Sequence, residues 1–306
     1  MFTNEDLTRL QDMSLDDKIV MSKLRIVEAY EHFDGNMVIA FSGGIDSTVL
    51  VNLVRSIYPD IKAVYCDTGL EYPEVKEHVK SFDNIEIIRP SMGFREVLEK
   101  HGWLYPNKEV AEKIYYARGG ATWAVNAFNG LDKDGNPSDY KRRYYAKWKY
   151  LIDSPFKFSK KCCDIMKKKP FKEYIKKHNG CGIYIGTRAE ESQLRKNVWL
   201  KNGCNVFKSN HSMPLSFWTD QDTLKYVLDN KLKIPSVYGY IIKGFAGRYR
   251  TTGVDRTGCI FCPAGVHMED EPNRFQRLRE THPKLWEYCI NKLELGKLLD
   301  YINVKY

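Results

Sequence analysis

Apolar positions along the chain follow two rhythms. In residues 1–33 they recur at helical spacing (Ile19, Leu24, Ile26, Val27, Tyr30), which predicts a helical N-terminal segment. Met37-Val-Ile-Ala-Phe41 is then a short, continuous apolar run of the length of a buried strand. A Gly-rich turn follows, with a helix expected over 48–57. Ile61–Cys66 reads as a second strand, 73–82 as a helix and Ile85–Ile88 as a third strand. Cys181–Ile185 reads as a later strand, and Asn205-Val-Phe207 as one more. Strands alternating with helices predict an α/β fold: a mostly parallel, twisted sheet with helices on both faces.

The rhythm breaks twice. Residues 103–160 contain NGLDKDGNPSDY and the basic aromatic run KRRYYAKWKY, and read as an insertion near or over a site. Beyond 245 the chain is loop-rich (GFAGRYRTTGVDRTG), then helical from Pro272. The expected organisation is a helical segment (1–33), a main α/β domain (34–245) carrying the insertion, and a helical and loop C-terminal segment (246–306) packed on the core.

Composition adds limits. With 43% apolar and 28% charged residues in 306, the chain has the make-up of a globular protein able to bury a sizeable core. No apolar run reaches the roughly 20 residues of a membrane span. The start, MFTNEDLTRL, is polar and acidic, so no secretory signal is expected and the cytoplasm is the expected setting. The net charge is +9, and much of the excess falls within 141–177. Such a basic, aromatic-rich stretch suits a nucleic-acid partner. It suits equally a solvated lysine face, or cations gathered around an anionic nucleotide.

The most specific chemistry lies at Phe41-Ser-Gly-Gly-Ile-Asp-Ser-Thr48, between an expected strand and an expected helix. Gly43 and Gly44 let the backbone turn sharply and approach a ligand. The helix start offers free N–H groups and partial positive charge to an anion. Ser42 and Ser47 add hydroxyls, and Asp46 suits Mg²⁺ bridging phosphate oxygens. The G-K-[ST] ending of a Walker loop is absent.

This loop resembles the pyrophosphate-binding loop of the PP-loop ATP pyrophosphatases. Asp67-Thr-Gly-Leu-Glu-Tyr-Pro-Glu74 resembles the D-T-G-x-x-[FY]-P-E signature of their PAPS reductase and ATP sulfurylase small-subunit branch. Gly186-Thr-Arg-Ala-Glu-Glu-Ser-Gln-Leu-Arg195 and Pro214-Leu-Ser-Phe-Trp-Thr-Asp220 resemble two further motifs of that branch, in its order. The resemblance covers about residues 40–225. It implies an enzyme of sulfur metabolism that binds ATP, or adenylyl sulfate or PAPS, through Ser42, Gly43, Gly44, Asp46, Ser47, Asp67, Thr68 and Gly69. Arg188 and Arg195 have the planar forks that suit phosphate or sulfate, with ion pairs to Glu190 or Glu191 as the plainer reading.

Of eight cysteines, four stand apart: the adjacent Cys162 and Cys163, and the C-x-x-C of Cys259 and Cys262. Four thiolates suit zinc or an iron–sulfur cluster, and an adjacent pair is unusual for zinc. The pattern, with Cys162-Cys-Asp-Ile-Met-Lys-Lys-Lys-Pro170, resembles that of the 4Fe–4S adenylyl-sulfate reductases. That resemblance implies a 4Fe–4S cluster, zinc being the alternative, and makes Lys167 its associated lysine.

Two departures matter. The reductases carry an E-C-G-[IL]-H motif with a nucleophilic cysteine, which this sequence lacks, and their loop is usually degenerate where S-G-G-I-D-S is intact. The expected activity is therefore cleavage of ATP to AMP and pyrophosphate, activating an acceptor for sulfur transfer. Reduction of adenylyl sulfate or PAPS to sulfite is the alternative, and a non-catalytic nucleotide-binding iron–sulfur module the second. A sulfur donor or a thioredoxin-like protein is the expected partner, and no membrane is.

Overall fold

The computed structural model describes residues 2–306. The N-terminal segment is two helices, α1 (Asn4–Gln11) and α2 (Leu15–His32), where the apolar spacing suggested one run. The break is set by caps. Thr3 Oγ1 accepts from the Asp6 amide at 3.1 Å, and Ser14 Oγ accepts from the Asp17 amide at 3.2 Å.

Six strands form one sheet: β1 (Met37–Ala40), β2 (Ala63–Cys66), β3 (Ile85–Ile88), β4 (Gly182–Ile185), β5 (Asn205–Val206) and β6 (His211–Ser212). Their order is β3-β2-β1-β4-β6-β5. Every pairing is parallel except β5 with β6. The sheet is thus mostly parallel, with an antiparallel edge. The chain moves outward from β1 through β2 to β3, then returns to place β4 on the other side of β1. That reversal is the switch point where open α/β sheets receive ligands, at the carboxyl ends of the strands.

Alternation along the strands fills both faces. Ile39, Ala63, Tyr65 and Tyr184 pack in one core with Ile26 of α2 and with Val49 and Leu53 of α3 (Ile45–Arg55). Val38, Val64 and Ile183 point the other way, onto Tyr174 of the helix Lys169–Lys177. A β-carbon at Gly182 would lie 2.1 Å from Met37 Sδ, so the start of β4 admits glycine alone.

The chain divides into two compact units. The first comprises the chain up to Arg89 together with Pro170–Gly258, and holds the sheet. The second comprises Pro90–Lys169 and Cys259–Tyr306. It therefore joins the whole of the expected insertion to most of the expected C-terminal segment. The second unit is largely helical, including Lys108–Arg118, Thr122–Phe128, Asp139–Tyr144, Arg274–Thr281 and Leu295–Tyr301. Ile114, Phe128, Tyr145 and Leu151 are among its buried residues. Arg118 fastens a turn there, donating to the carbonyls of Leu151 at 2.7 Å, Ile152 at 2.8 Å and Ser154 at 2.9 Å. Among the described residues, no helix is long and apolar enough to cross a membrane.

Candidate functional site

The glycine loop follows β1 directly, at the switch point. Gly43 has φ +74°, a conformation that favours glycine. A β-carbon there would also lie 2.7 Å from both Val75 Cγ1 and Val79 Cγ2 of α4 (Pro73–Lys80). Gly44 caps α3 with no side-chain hydrogen bond, so the helix begins at Ile45, three residues before the start expected at Thr48. Asp46 and Ser47 consequently sit in its first turn, where backbone N–H groups lack intrahelical partners. Ser47 Oγ lies 3.0 Å from Ser42 Oγ and donates to the Gly44 carbonyl at 3.0 Å, which sets the curvature of the loop. The Ile45 amide makes a long 3.4 Å contact to the Tyr238 hydroxyl, itself 2.8 Å from Thr257 Oγ1.

The turn after β4 closes on the same place. A β-carbon at Gly186 would meet the Asp46 carbonyl oxygen at 3.1 Å. Arg188 is buried, with 4% exposure, and its guanidinium is engaged by three carboxylates. Its Nε donates to Asp46 Oδ1 at 2.8 Å, its Nη2 to Asp220 Oδ1 at 2.5 Å and its Nη1 to Glu190 Oε2 at 3.3 Å. Two of its hydrogen bonds go to Asp46 and orient that carboxylate. Burial pushes the Asp46 carboxyl up from its ordinary value, and the Arg188 charge and hydrogen bond oppose that push. Arg195 pairs with Glu191 near the surface.

Asp67, Thr68 and Gly69 follow β2, at the same sheet edge. Thr68 Oγ1 donates to Glu71 Oε1 at 2.6 Å and accepts from the Leu70 amide at 3.2 Å, so the turn is braced from within. Burial pushes the Asp67 carboxyl up, but Lys76 at 2.8 Å, the Gly69 amide and Arg89 together hold it below the usual carboxylate range. Behind the loop, buried His78 places Nε2 3.0 Å from Thr48 Oγ1. Burial pushes its imidazole down to about 4, so it is neutral near pH 7.

The loop residues, the Asp67 turn and Arg188 thus share one unit and one edge of the sheet. Sequence reasoning missed Asp220, Tyr238, Thr257 and His78. Asp220 closed the segment Pro214–Asp220 but was given no role, and its position at the start of the helix Asp220–Asp229 was an available signal. The other three are far from the loop in sequence or lack any motif. Trp218 is fully buried, with its indole N–H on Ser22 Oγ at 2.9 Å, a core role as its type suggests.

The second unit holds all four singled-out cysteines. Cys162 and Cys163 lie on the turn Lys161–Cys163, which runs into a π-helical turn, Asp164–Lys168, carrying Lys167. Cys259 and Cys262 close a tight turn, with the Cys262 amide on the Cys259 carbonyl at 3.1 Å. Arg274 braces that turn, donating to the Cys262 carbonyl at 3.1 Å and to Glu269 Oε1 at 2.5 Å. Burial pushes the Cys162 thiol up, reinforced by Cys259, Cys163 and Cys262 and opposed by Lys167. The Cys262 thiol is pushed up to about 11, by burial and then by Cys259. The four thiols therefore stand in one another's field. Among the described residues, no three His, Cys, Asp or Glu side chains close to metal-ligating spacing. In kind and number the donors fit a thiolate-held cluster or zinc; in spacing they are neighbouring thiols.

The model of the phosphoadenosine phosphosulfate reductase domain family matches residues 36–116 and 128–264, well over half of the chain. The chain belongs to this family. Within this PAPS reductase family its relatives are distant. Two uncharacterised proteins of Methanocaldococcus jannaschii are 25% and 26% identical, over 91% and 88% of this chain and 53% and 43% of their own lengths. The chain thus spans about half the length of these two relatives. An adenosine 5'-phosphosulfate reductase of Staphylococcus haemolyticus is 24% identical, over 80% of this chain and 86% of that protein. Among solved structures, a PAPS reductase of Candida auris aligns with a TM-score of 0.38 at 12% identity, covering 77% of this chain and 91% of that one. The U34-tRNA thiolase NcsA of Methanococcus maripaludis, solved with its 4Fe-4S cluster, aligns with a TM-score of 0.38 at 13% identity, covering 95% of this chain and 82% of that one.

Proposed function

We propose that this PAPS reductase family member is an ATP pyrophosphatase that adenylates an acceptor for sulfur transfer. The observation that carries the reading is the intact S-G-G-I-D-S loop, folded as a strand–turn–helix whose helix begins at the switch point of the sheet, with only long contacts of 3.5 and 3.4 Å on the Gly44 and Ile45 amides. An acceptor oxygen attacks the α-phosphorus. The bond to the bridging oxygen breaks, and pyrophosphate leaves with the electron pair. The loop amides and the Ser42 and Ser47 hydroxyls stabilise its charge. Asp46, held by Arg188, is the group suited to a Mg²⁺ shared with the phosphates, and that ion would neutralise developing charge. A sulfur donor then displaces AMP from the adenylated acceptor.

The four cysteines support a 4Fe–4S cluster, with zinc as the alternative. When bound, such a cluster would supply electron transfer or a sulfur-handling iron site. The residues themselves do the positioning: Arg274 fixes the Cys259–Cys262 turn, and Lys167 sets a positive charge beside Cys162.

A second reading, reduction of adenylyl sulfate to sulfite, is favoured by the named reductases among the relatives. Product analysis separates the two. The proposal expects AMP and pyrophosphate from ATP and Mg²⁺ once the acceptor is present. Sulfite released from adenylyl sulfate in the presence of a thioredoxin, without turnover of ATP, would replace it with the reductase reading. Nucleotide binding without any product would leave a non-catalytic module.

A further inference from the structure

The rings of the second unit divide sharply by exposure. Tyr105, Phe128, Tyr145 and Trp148 are buried, as core rings are. Tyr115, Tyr116, Trp123 and Tyr140 are not: 64%, 42%, 43% and 57% of their surfaces face solvent. These exposed rings form two groups, linked by two lysines over the buried Tyr145 ring. Tyr116 lies 5.4 Å from Trp123. Lys113 Nζ stands 4.6 Å from the Trp123 ring and 4.7 Å from that of Tyr145. Lys141 Nζ stands 4.9 Å from the same Tyr145 ring and 5.3 Å from Tyr140. Tyr140 then stacks on Tyr144 at 5.6 Å and 10°. One strip of rings interleaved with ammonium groups crosses the helices Lys108–Arg118, Thr122–Phe128 and Asp139–Tyr144.

The charge on the strip is partly neutralised. Lys141–Lys149 carries five cations and no carboxylate. Of the nearby acids, Glu112 pairs with Lys160 at 2.6 Å and Asp139 with Arg142 at 2.8 Å, while Glu109, hydrogen-bonded by the neutral Tyr145 hydroxyl, keeps its charge in the field of Lys113. Lys113 and Lys141 approach one ring within each other's field, and burial together with the Lys141 charge pushes the Lys113 amine down, against the opposing pull of Glu109 and Glu112. An anion lying between them relieves that repulsion. Scattered exposed rings need no ligand, but rings alternating with cations match a strand whose flat bases alternate with phosphates.

We propose that this strip binds single-stranded nucleic acid, with bases stacked on Tyr116, Trp123 and Tyr140 and phosphates on Lys113, Lys141 and Arg143, which lines a hollow with Tyr140 and Tyr144. A duplex hides its base faces, and an acidic polypeptide would use the cations and leave the rings idle. The proposal deepens the preceding reading by naming a class of acceptor. Binding to the strip requires neither ATP nor metal, so it stands or falls separately from that reading.

The test is fluorescence anisotropy on the full chain. The probes are labelled oligo-dT and oligo-rU of about 16 nucleotides, the upper site size of a single-strand-binding fold. A duplex of equal length and polyglutamate are the competitors. Single strands should bind more tightly than both, and preference for one sugar identifies the source as DNA or RNA. Trp123→Ala with Tyr140→Ala should weaken binding by about tenfold or more, while Trp123→Phe with Tyr140→Phe retains it. Lys113→Gln with Lys141→Gln should lower the slope of log K on log salt by about 0.7 per cation removed. Tyr240→Ala, a more exposed ring of the first unit, should change nothing. If the alanine pair fails to fold, the phenylalanine and glutamine pairs carry the test. Equal affinity for the duplex or polyglutamate would overturn the proposal, as would an unchanged salt slope in the glutamine pair.

Discussion

The glycine loop and the group of four cysteines are built on opposite plans. The loop is six contiguous residues, and its geometry is imposed by backbone: a strand ends, Gly43 turns at positive φ, and α3 begins. The group is four side chains from two segments nearly a hundred residues apart in the chain, held by a brace such as Arg274. A backbone site is fixed once its strand and helix form. A side-chain site is fixed only when its whole unit folds, and it tightens further on whatever it ligates. The two should therefore respond differently to substitution, within the first unit as well as between the units.

The largest effect is expected at Arg188, where a buried cation holds three carboxylates. Arg188→Met leaves Asp46 without its cation and should cost about 3–5 kcal/mol, read by urea unfolding. A loss near zero would mean that the carboxylates find solvent and that the loop does not depend on this brace. Next is Gly43→Ala. It combines a disfavoured positive φ with 2.7 Å contacts to Val75 and Val79, and should cost about 2–4 kcal/mol. It should also abolish nucleotide-induced thermal stabilisation; a variant that keeps both would show that the loop is not backbone-determined.

His78 gives a pH signature. Its folded value is about 4, below the ordinary 6.5, so the unfolded chain takes up this proton first as pH falls. The associated stability is whole above pH 6.5 and is lost between 6.5 and 4, by up to about 3 kcal/mol. In His78→Gln that part of the pH dependence should vanish from denaturation midpoints measured across the window, and an unchanged slope would refute the assignment. The smallest effect is expected at Arg195, whose side chain is 41% exposed beside Glu191. Arg195→Ala should change stability by less than about 1 kcal/mol, so any large change in nucleotide affinity would mark it as a ligand contact.

The same contrast explains what the sequence made legible. Contiguous features were readable: the apolar strand before the loop, the glycine pair and the turn after β2. The α3 start was misjudged by three residues because Gly44 caps with backbone alone and leaves no side-chain signal. β6 escaped because two residues, His211 and Ser212, carry no periodicity. Short amphipathic helices within 103–160 were masked by the polar turn at Asp132–Asn136 and by the density of lysines. The partners of the loop were the least visible. Tyr238 and Thr257 meet the loop through the fold, and Arg188, expected as an anion fork, is engaged by the carboxylates of Asp46, Glu190 and Asp220. Cysteine identity suggested a soft-ligand site, but among the described residues no group has metal-ligating spacing.

The central claim is that the amides at Gly43, Gly44 and Ile45 receive the phosphates of an adenine nucleotide. A crystal structure of the chain with ATP and Mg²⁺ tests it most directly. The account predicts phosphate density against those amides, with the Tyr238 hydroxyl drawn off the Ile45 N–H. Phosphates bound elsewhere, or an empty loop with Tyr238 still on Ile45 at saturating nucleotide, would contradict it.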